Sequence, residues 1–289
     1  MDDDLVHRLK AALSDRYQIQ KEIGRGGMAT VYLAEDRKHR RPVALKVFRP
    51  ESPDASGARR FLRENEFVAQ LTHPHILPLH DSGEVGGIPY YVTPYVEGGS
   101  LRDWLDRETQ LPLDQALQIA QEVAGALHFA HGKGLVHRDI KPENILLANG
   151  HALVADFGVA HAICTGCMDS LASGPIGTPA YISPEQAMDD NVDPRSDVYS
   201  LACVLYEMLT GEAPYVVPGV MQTVARHLTY PIPSARKLRP DVPEVVDAAI
   251  TKALAKSPVD RFPTAGVFGE VLAGAVPPKT AVATGLLRR

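Results

Sequence analysis

His137-Arg138-Asp139-Ile140-Lys141-Pro142-Glu143-Asn144, followed twelve residues past Asn144 by Asp156-Phe157-Gly158, is the stretch on which the reading of this chain turns. It sets a carboxylate, an ammonium, an amide and a second carboxylate in fixed order. Each has an ordinary explanation on its own, since Asp and Asn are commonly caps or turn formers. Two upstream features change the weighting. Val43-Ala44-Leu45-Lys46 reads as a strand whose buried flanks hold one ammonium in a fixed place, although a lone Lys at a strand end is usually solvated. Gly24-Arg25-Gly26-Gly27-Met28-Ala29-Thr30-Val31 lies between two strands, where glycines let backbone amides approach a phosphate chain closely. With 23 Gly in 289 residues, a bare G-x-G should arise by chance about twice. The glycine loop therefore takes its meaning from its company, and the ordered set as a whole is very improbable by chance.

The surrounding composition bounds the answer. Lys+Arg 30 against Asp+Glu 35 gives a net charge of −5, and 45% of residues are hydrophobic. That composition excludes disorder and small disulfide scaffolds. At about 150 residues per domain, the length allows roughly two domains or one bilobed unit. No apolar run reaches the roughly 18 residues of a membrane span; Gly266 to Val276 is short and interrupted by Glu270. Asp2, Asp3 and Asp4 carry the wrong charge for a secretory leader, and three cysteines give no disulfide framework. These features point to a reducing cytoplasm, without membrane contact from this chain. The slight acidity argues against a nucleic-acid partner, which would call for a basic face.

Tyr17 to Ile23, Thr30 to Ala34 and Pro42 to Phe48 read as strands, and strands are expected to resume at Ile76 and at Pro89 to Val96. One helix from Ala58 to Leu71 interrupts them and stops at His73-Pro74. Past Gly98-Gly99 the pattern becomes helical. It is clearest from Asp114 to His131, with Asp114 as the expected cap and Gly132 as the stop. Further helices are expected from Ser196 to Leu209, Gly219 to Leu228, Glu244 to Ala255 and Thr264 to Ala273. The fold class is thus α+β, with a small β-rich lobe preceding a larger, mainly helical one. The expected divisions are an extension at 1–16, the small lobe at 17–96, the large lobe at 97–275 and a linker or disordered tail at 276–289.

These motifs resemble the eukaryotic-type (Hanks-type) protein kinase family, and especially the bacterial Ser/Thr kinases, from about Tyr17 to Ala273. The resemblance implies a bilobal kinase-like fold and ATP-dependent transfer of the γ-phosphoryl group to protein serine or threonine hydroxyls. ATP and Mg2+ are the implied cofactors, with Mn2+ as a substitute metal. Such a transfer depends on positioning and charge neutralisation more than on covalent help. By resemblance, Lys46 would hold the α- and β-phosphates and be held in turn by Glu64. Glu66 competes for that role, but the nine-residue spacing from Glu64 to His73 resembles the family pattern. Asn144 and Asp156 would supply hard oxygen ligands to Mg2+. Asp139 would orient the acceptor hydroxyl and take its proton, while Lys141 offsets charge on the transferring group.

The adenine would lie between the lobes, read by the carbonyl of Pro94 and the amide of Val96. Ile23, Val31, Ala44 and Leu146 would form its apolar walls, and Gly24, Gly26 and Gly27 would cover the phosphates. Pro94 departs from the usual acidic residue but keeps the carbonyl this role needs. Ala29 replaces the third glycine. Ser183-Pro184-Glu185 stands where the family often has Ala-Pro-Glu, and Glu185 would pair with Arg261 as a structural ion pair.

Lys141 two positions after Asp139, together with Gly177-Thr178-Pro179, resembles Ser/Thr rather than tyrosine kinases. Arg138 beside the proposed base resembles kinases switched on by a phosphate on the following loop. Thr165, Ser170 and Ser173 are candidate carriers of that phosphate, with Ser170 and Ser173 ranked first and autophosphorylation through a transient homodimer expected. Thr178 is expected to support the catalytic loop. Cys164 and Cys167 with His161 form an H-x-x-C-x-x-C run, which supplies only three of the four ligands a closed zinc site wants. A redox pair there competes with two unremarkable thiols, and Cys203 is expected in the core. Two rival functions stay open at this level: a catalytically dead kinase-like scaffold, and a small-molecule phosphotransferase of the same fold. Asp139, Asn144 and Asp156 are all present, against the first. Arg138, Lys141-Pro142-Glu143 and Ser183-Pro184-Glu185 favour a protein substrate, against the second. The sequence leaves open whether the protein continues into a membrane span or sensor region.

Overall fold

The computed structural model describes residues 3–26, 29–48, 68–157 and 179–275. After helix α1 (Asp3–Leu13) come strands β1 (Tyr17–Arg25), β2 (Ala29–Asp36), β3 (Arg41–Phe48), β4 (Asp81–Val85) and β5 (Ile88–Pro94). They form one antiparallel sheet in the order β1-β2-β3-β5-β4. In β2 and β3 the side chains alternate. Tyr32, Ala34, Val43, Leu45 and Val47 are buried on one face, and Val31, Ala44 and Lys46 stand half-buried on the other. Alternation with period two is what puts these sets on opposite faces. The buried set packs with Leu9 and Leu13 of α1 and with Tyr17. Burying each such leucine contributes about 1.5–3 kcal/mol. The Tyr17 hydroxyl donates to Asp81 Oδ2 at 2.7 Å, joining β1 to β4. Those strands are the two edges of the sheet, so the sheet is rolled rather than flat.

The second part of the chain is helical: α2 (Leu101–Glu108), α3 (Leu113–Gly132), then strands β6 (Ile145–Ala148) and β7 (His151–Val154) as a two-stranded sheet, then α4 (Pro184–Ala187), α5 (Pro194–Thr210), α6 (Val220–Thr229), α7 (Glu244–Ala253) and α8 (Ala265–Gly274). Helix α5 is buried from Ser196 to Thr210, as expected of a helix apolar on most sides. Asp193 caps its start by accepting from Arg195 N, and Gly211 ends it at φ 87, a left-handed conformation natural to glycine. Helices α3, α5, α7 and α8 meet in one core with Leu117, Val123, Leu205, Ile250 and Phe268. Cys203 lies fully buried in that core. Among the described residues, no helix is long and apolar enough to cross a membrane.

The structure corrects several sequence expectations. Ile76 begins no strand; it makes an isolated parallel bridge to Val154, and the next strand is β4 at Asp81–Val85. Its sequence, DSGEV, carries one strong β-former, and pairing with β5 decides its state. Strand β5 ends at Pro94 rather than Val96. Asp114 is not the cap of α3; Pro112 holds that position, and Asp114 sits in the first turn, where its charge favours the positive end of the helix. The tail at 276–289 falls outside the described residues, as does the expected helix at Ala58 to Leu71 apart from residues 68–71, of which Val68 is helical.

Candidate active site

Three backbone features place the cleft-facing groups. The register sets Val31 opposite Lys46, Lys46 opposite Tyr91, and Ala44 opposite Thr93, so these side chains share the sheet face turned from the α1 core. Gly26 N donates to Ala29 O at 2.9 Å, just past the Gly24–Val31 pair of β1 and β2. The chain leaving β5 then lies against β6, where Leu147 N donates to Gly99 O at 3.0 Å and Ser100 bridges Leu146. Gly98 is required there: a Cβ on it would stand 1.9 Å from Leu147 O. Pro94, Val96, Leu146, Val31 and Ala44 are half-buried, and Ile23 is exposed.

The segment 137–144 is held from below. Asp197, fully buried in the first turn of α5, accepts from the backbone N–H of His137 and of Arg138, both at 2.8 Å, and bonds His131 Nε2 at 2.7 Å. Arg138 has φ 68, uncommon for a residue with a side chain. Its carbonyl accepts from Gln186 Nε2 at 2.7 Å, and Gln186 is itself fixed by a capping box with Ser183. His137 Nδ1 accepts from Asp139 N at 3.2 Å, which leaves Nε2 as the donor to Ala155 O at 2.8 Å. Burial pushes the His137 pKa down, so the ring is neutral and this tautomer is the consistent one. Its ring meets Phe157 edge-on at 4.7 Å, coupling segment 137–144 to segment 155–157.

On this support the polar groups converge. Asn144 Nδ2 donates to Asp139 O at 2.8 Å and to Asp139 Oδ2 at 2.9 Å, and Lys141 Nζ lies 2.8 Å from the same Oδ2. Lys46 Nζ bonds Asp156 Oδ2, and the Tyr91 hydroxyl bonds Asp156 Oδ1. Asp156 has φ 65, again left-handed. Further from the cleft, the Arg261 guanidinium grips Glu185 at 2.6 and 2.7 Å. Burial alone would raise the Glu185 pKa, but the hydrogen bonds from Arg261 and Ser196 hold it below the ordinary carboxylate range.

Asp139, Lys141 and Asn144 are therefore brought together, as are Lys46 and Asp156, and Ala155 N donating to Asn144 O at 2.9 Å ties the second segment to the first. Arg138 offers its backbone to Asp197, and its side chain has no acidic partner among the described residues. Glu64, Gly27, His161, Cys164, Thr165, Cys167, Ser170, Ser173 and Thr178 fall outside the described residues. Sequence reasoning gave no role to Asp197, Gln186, Tyr91 or Thr93, and quoted His137 only as part of its motif. Asp197 left one signal, a carboxylate in the first turn of a mostly apolar helix. Tyr91 left none, because an aromatic in a strand reads as core.

Comparison with known proteins agrees with this geometry. The family model for the protein kinase domain matches residues 17–269. The chain is 43% identical over 260 residues to the serine/threonine-protein kinase PknB of Mycobacterium leprae, covering 88% of this chain and 42% of that protein. It is 42% identical over 253 residues to the serine/threonine-protein kinase PknD of Mycobacterium tuberculosis, covering 86% of this chain and 38% of that protein. The chain thus spans about two fifths of the length of these relatives. Among solved structures, Rad53 1-466 in complex with AMP-PNP superposes with a TM-score of 0.75 at 25% identity, covering 93% of this chain and 69% of that one. The chain belongs to the protein kinase family, and its bilobal α+β fold is the fold of that family.

Proposed function

We infer that this chain is an ATP-dependent kinase acting on serine or threonine hydroxyls of proteins. The observation that carries the reading is the pairing of Asp139 with Lys141 and Asn144 beside the pairing of Lys46 with Asp156, the two sets tied where Ala155 N donates to Asn144 O at 2.9 Å. The relatives' printed names support the acceptor class. Asp139 accepts the acceptor hydroxyl's hydrogen bond, turns its oxygen toward the γ-phosphorus and receives its proton as the bond forms. Asn144 and Lys141 hold the Asp139 carboxylate in place, and Lys141 balances negative charge on the transferring group. Lys46 leaves Asp156 for the α- and β-phosphates once ATP enters, with Glu64 as its proposed partner. Pro94 O and Val96 N read the adenine edge, between Val31, Ala44 and Leu146, while Ile23 and the turn of Gly24, Gly26 and Gly27 close over the phosphates.

The donor set fits Mg2+, with Mn2+ as substitute. Asn144 turns its NH2 to Asp139, which leaves Oδ1 as its outward acceptor, and Asp156 offers carboxylate oxygens; both are hard ligands. Such a metal would neutralise phosphate charge and fix the phosphate chain. The division of the lobes near Val96, a cytoplasmic setting, and switching through Arg138 by a phosphate on Thr165, Ser170 or Ser173 complete the reading, the last by transfer between two copies of the chain. The test is transfer of label from [γ-32P]ATP to a generic basic protein. Lys46→Met should lower the rate about 10²–10³-fold, as loss of one preorganised electrostatic group does. Full activity in that variant, or label appearing only on a small molecule, would contradict the reading.

A further inference from the structure

Resting on the kinase reading, we propose that Tyr91 is a positioning residue that holds the Asp156 carboxylate for the metal–nucleotide complex. Tyr91 and Lys46 face each other across the β3–β5 ladder, so both side chains reach the same point. There they take opposite ends of one carboxylate, Tyr91 on Oδ1 and Lys46 on Oδ2. Two donors at the two oxygens fix the carboxylate plane, on a residue whose left-handed backbone, φ 65, needs support from its surroundings. The Tyr91 ring is itself held, 5% exposed and 5.6 Å from the Phe48 ring.

The two donors differ in what a metal does to them. An ammonium carries full charge, is repelled by a cation arriving at Asp156 and is drawn to the phosphates. A phenol is neutral, and an oxygen that accepts its hydrogen bond keeps a second lone pair for a cation. Tyr91 therefore stays on Asp156 when Lys46 leaves. Its hydroxyl orients the carboxylate throughout, and so contributes to nucleotide affinity only when metal is present.

Tyr91→Phe keeps the ring and removes the hydroxyl, and thermal melting checks that it folds. Affinity for an ATP analogue is measured by titration calorimetry with Mg2+ and with EDTA, and the ratio of the two constants is the metal coupling. Tyr91→Phe should leave the EDTA affinity within twofold and lower the coupling about tenfold, the low end of what a hydrogen bond to a charged group is worth. In an Asp156→Asn background the same change should alter the coupling less than twofold, which a general loosening of the strand would not reproduce. Unchanged coupling in Tyr91→Phe, or an equal drop in both backgrounds, overturns the assignment. Failure of the wild-type chain to bind nucleotide at all would instead overturn the kinase reading.

Discussion

Replacing Glu185 by Ala should cost about 3–5 kcal/mol of stability, the range for breaking a buried ion pair by removing one partner. The structure explains why the loss falls at the high end of single substitutions. Both side chains are nearly fully buried, and every donor nitrogen on Arg261 is matched: Nε to Ala255 O, Nη1 to Glu185 and Arg195 O, Nη2 to Glu185 and Lys256 O. Removing Glu185 leaves a buried cation held by three carbonyls and strips Ser196 Oγ of its 2.5 Å acceptor. Arg261→Met should cost at least as much, since it leaves a buried carboxylate and three bare carbonyls. The double variant should fall short of the sum by about 2–3 kcal/mol, because each single change already destroys the shared interaction. Urea unfolding followed at the single Trp104 gives these values. Because Glu185 titrates below the ordinary carboxylate range, its contribution is complete above the unfolded-state pKa of about 4.3. It is lost as pH falls through the lower folded-state value. A cost below about 1 kcal/mol for Glu185→Ala, or strict additivity, would refute this reasoning.

Three further outcomes follow from the geometry. Burial, with Lys256 beside it, lowers the His227 pKa to about 3, so stability is full above the unfolded value of about 6.5 and falls as pH drops toward 3. From pH 6.5 to 5.5 the loss should approach 1 kcal/mol, and His227→Gln should flatten that slope in denaturation midpoints; parallel slopes would contradict it. Gly98→Ala forces a Cβ to within 1.9 Å of Leu147 O, so titration with a fluorescent nucleotide should show about tenfold weaker binding, with about 1–3 kcal/mol lost in urea from overpacking; unchanged values for both would mean that the contact relaxes freely. Asp197→Ala removes the acceptor of two backbone N–H groups under the catalytic segment and should lower kcat about 10²-fold with nucleotide Kd little changed, since small misplacements cost that much; steady-state kinetics beside a binding titration separate the two.

The sequence was most legible where chemistry is local. The strand at Lys46 and helices α3, α5 and α7 emerge from the local residue pattern, and Asp139, Asn144 and Asp156 from the resemblance of their motifs to the kinase family. What stayed hidden depends on contacts far apart in the chain. Strand β4 is polar and exists by pairing with β5. The N-terminal extension contains α1 because Leu9 and Leu13 find the outer face of a sheet formed later in the chain. Asp197 lies 60 residues from the His137 N–H that it accepts. Tyr91 reaches Asp156 across 65 positions, a distance over which no local pattern speaks.

The most direct test of the central claim is a single-turnover measurement of γ-phosphate transfer to a protein acceptor, with phosphoamino acid analysis, for the wild-type chain and Asp139→Asn. Phosphoserine or phosphothreonine should form in the wild type, and the rate should fall about 10²–10³-fold in the variant while nucleotide affinity holds. Equal rates in the two proteins, or no phosphate on any hydroxyl amino acid, would contradict the account.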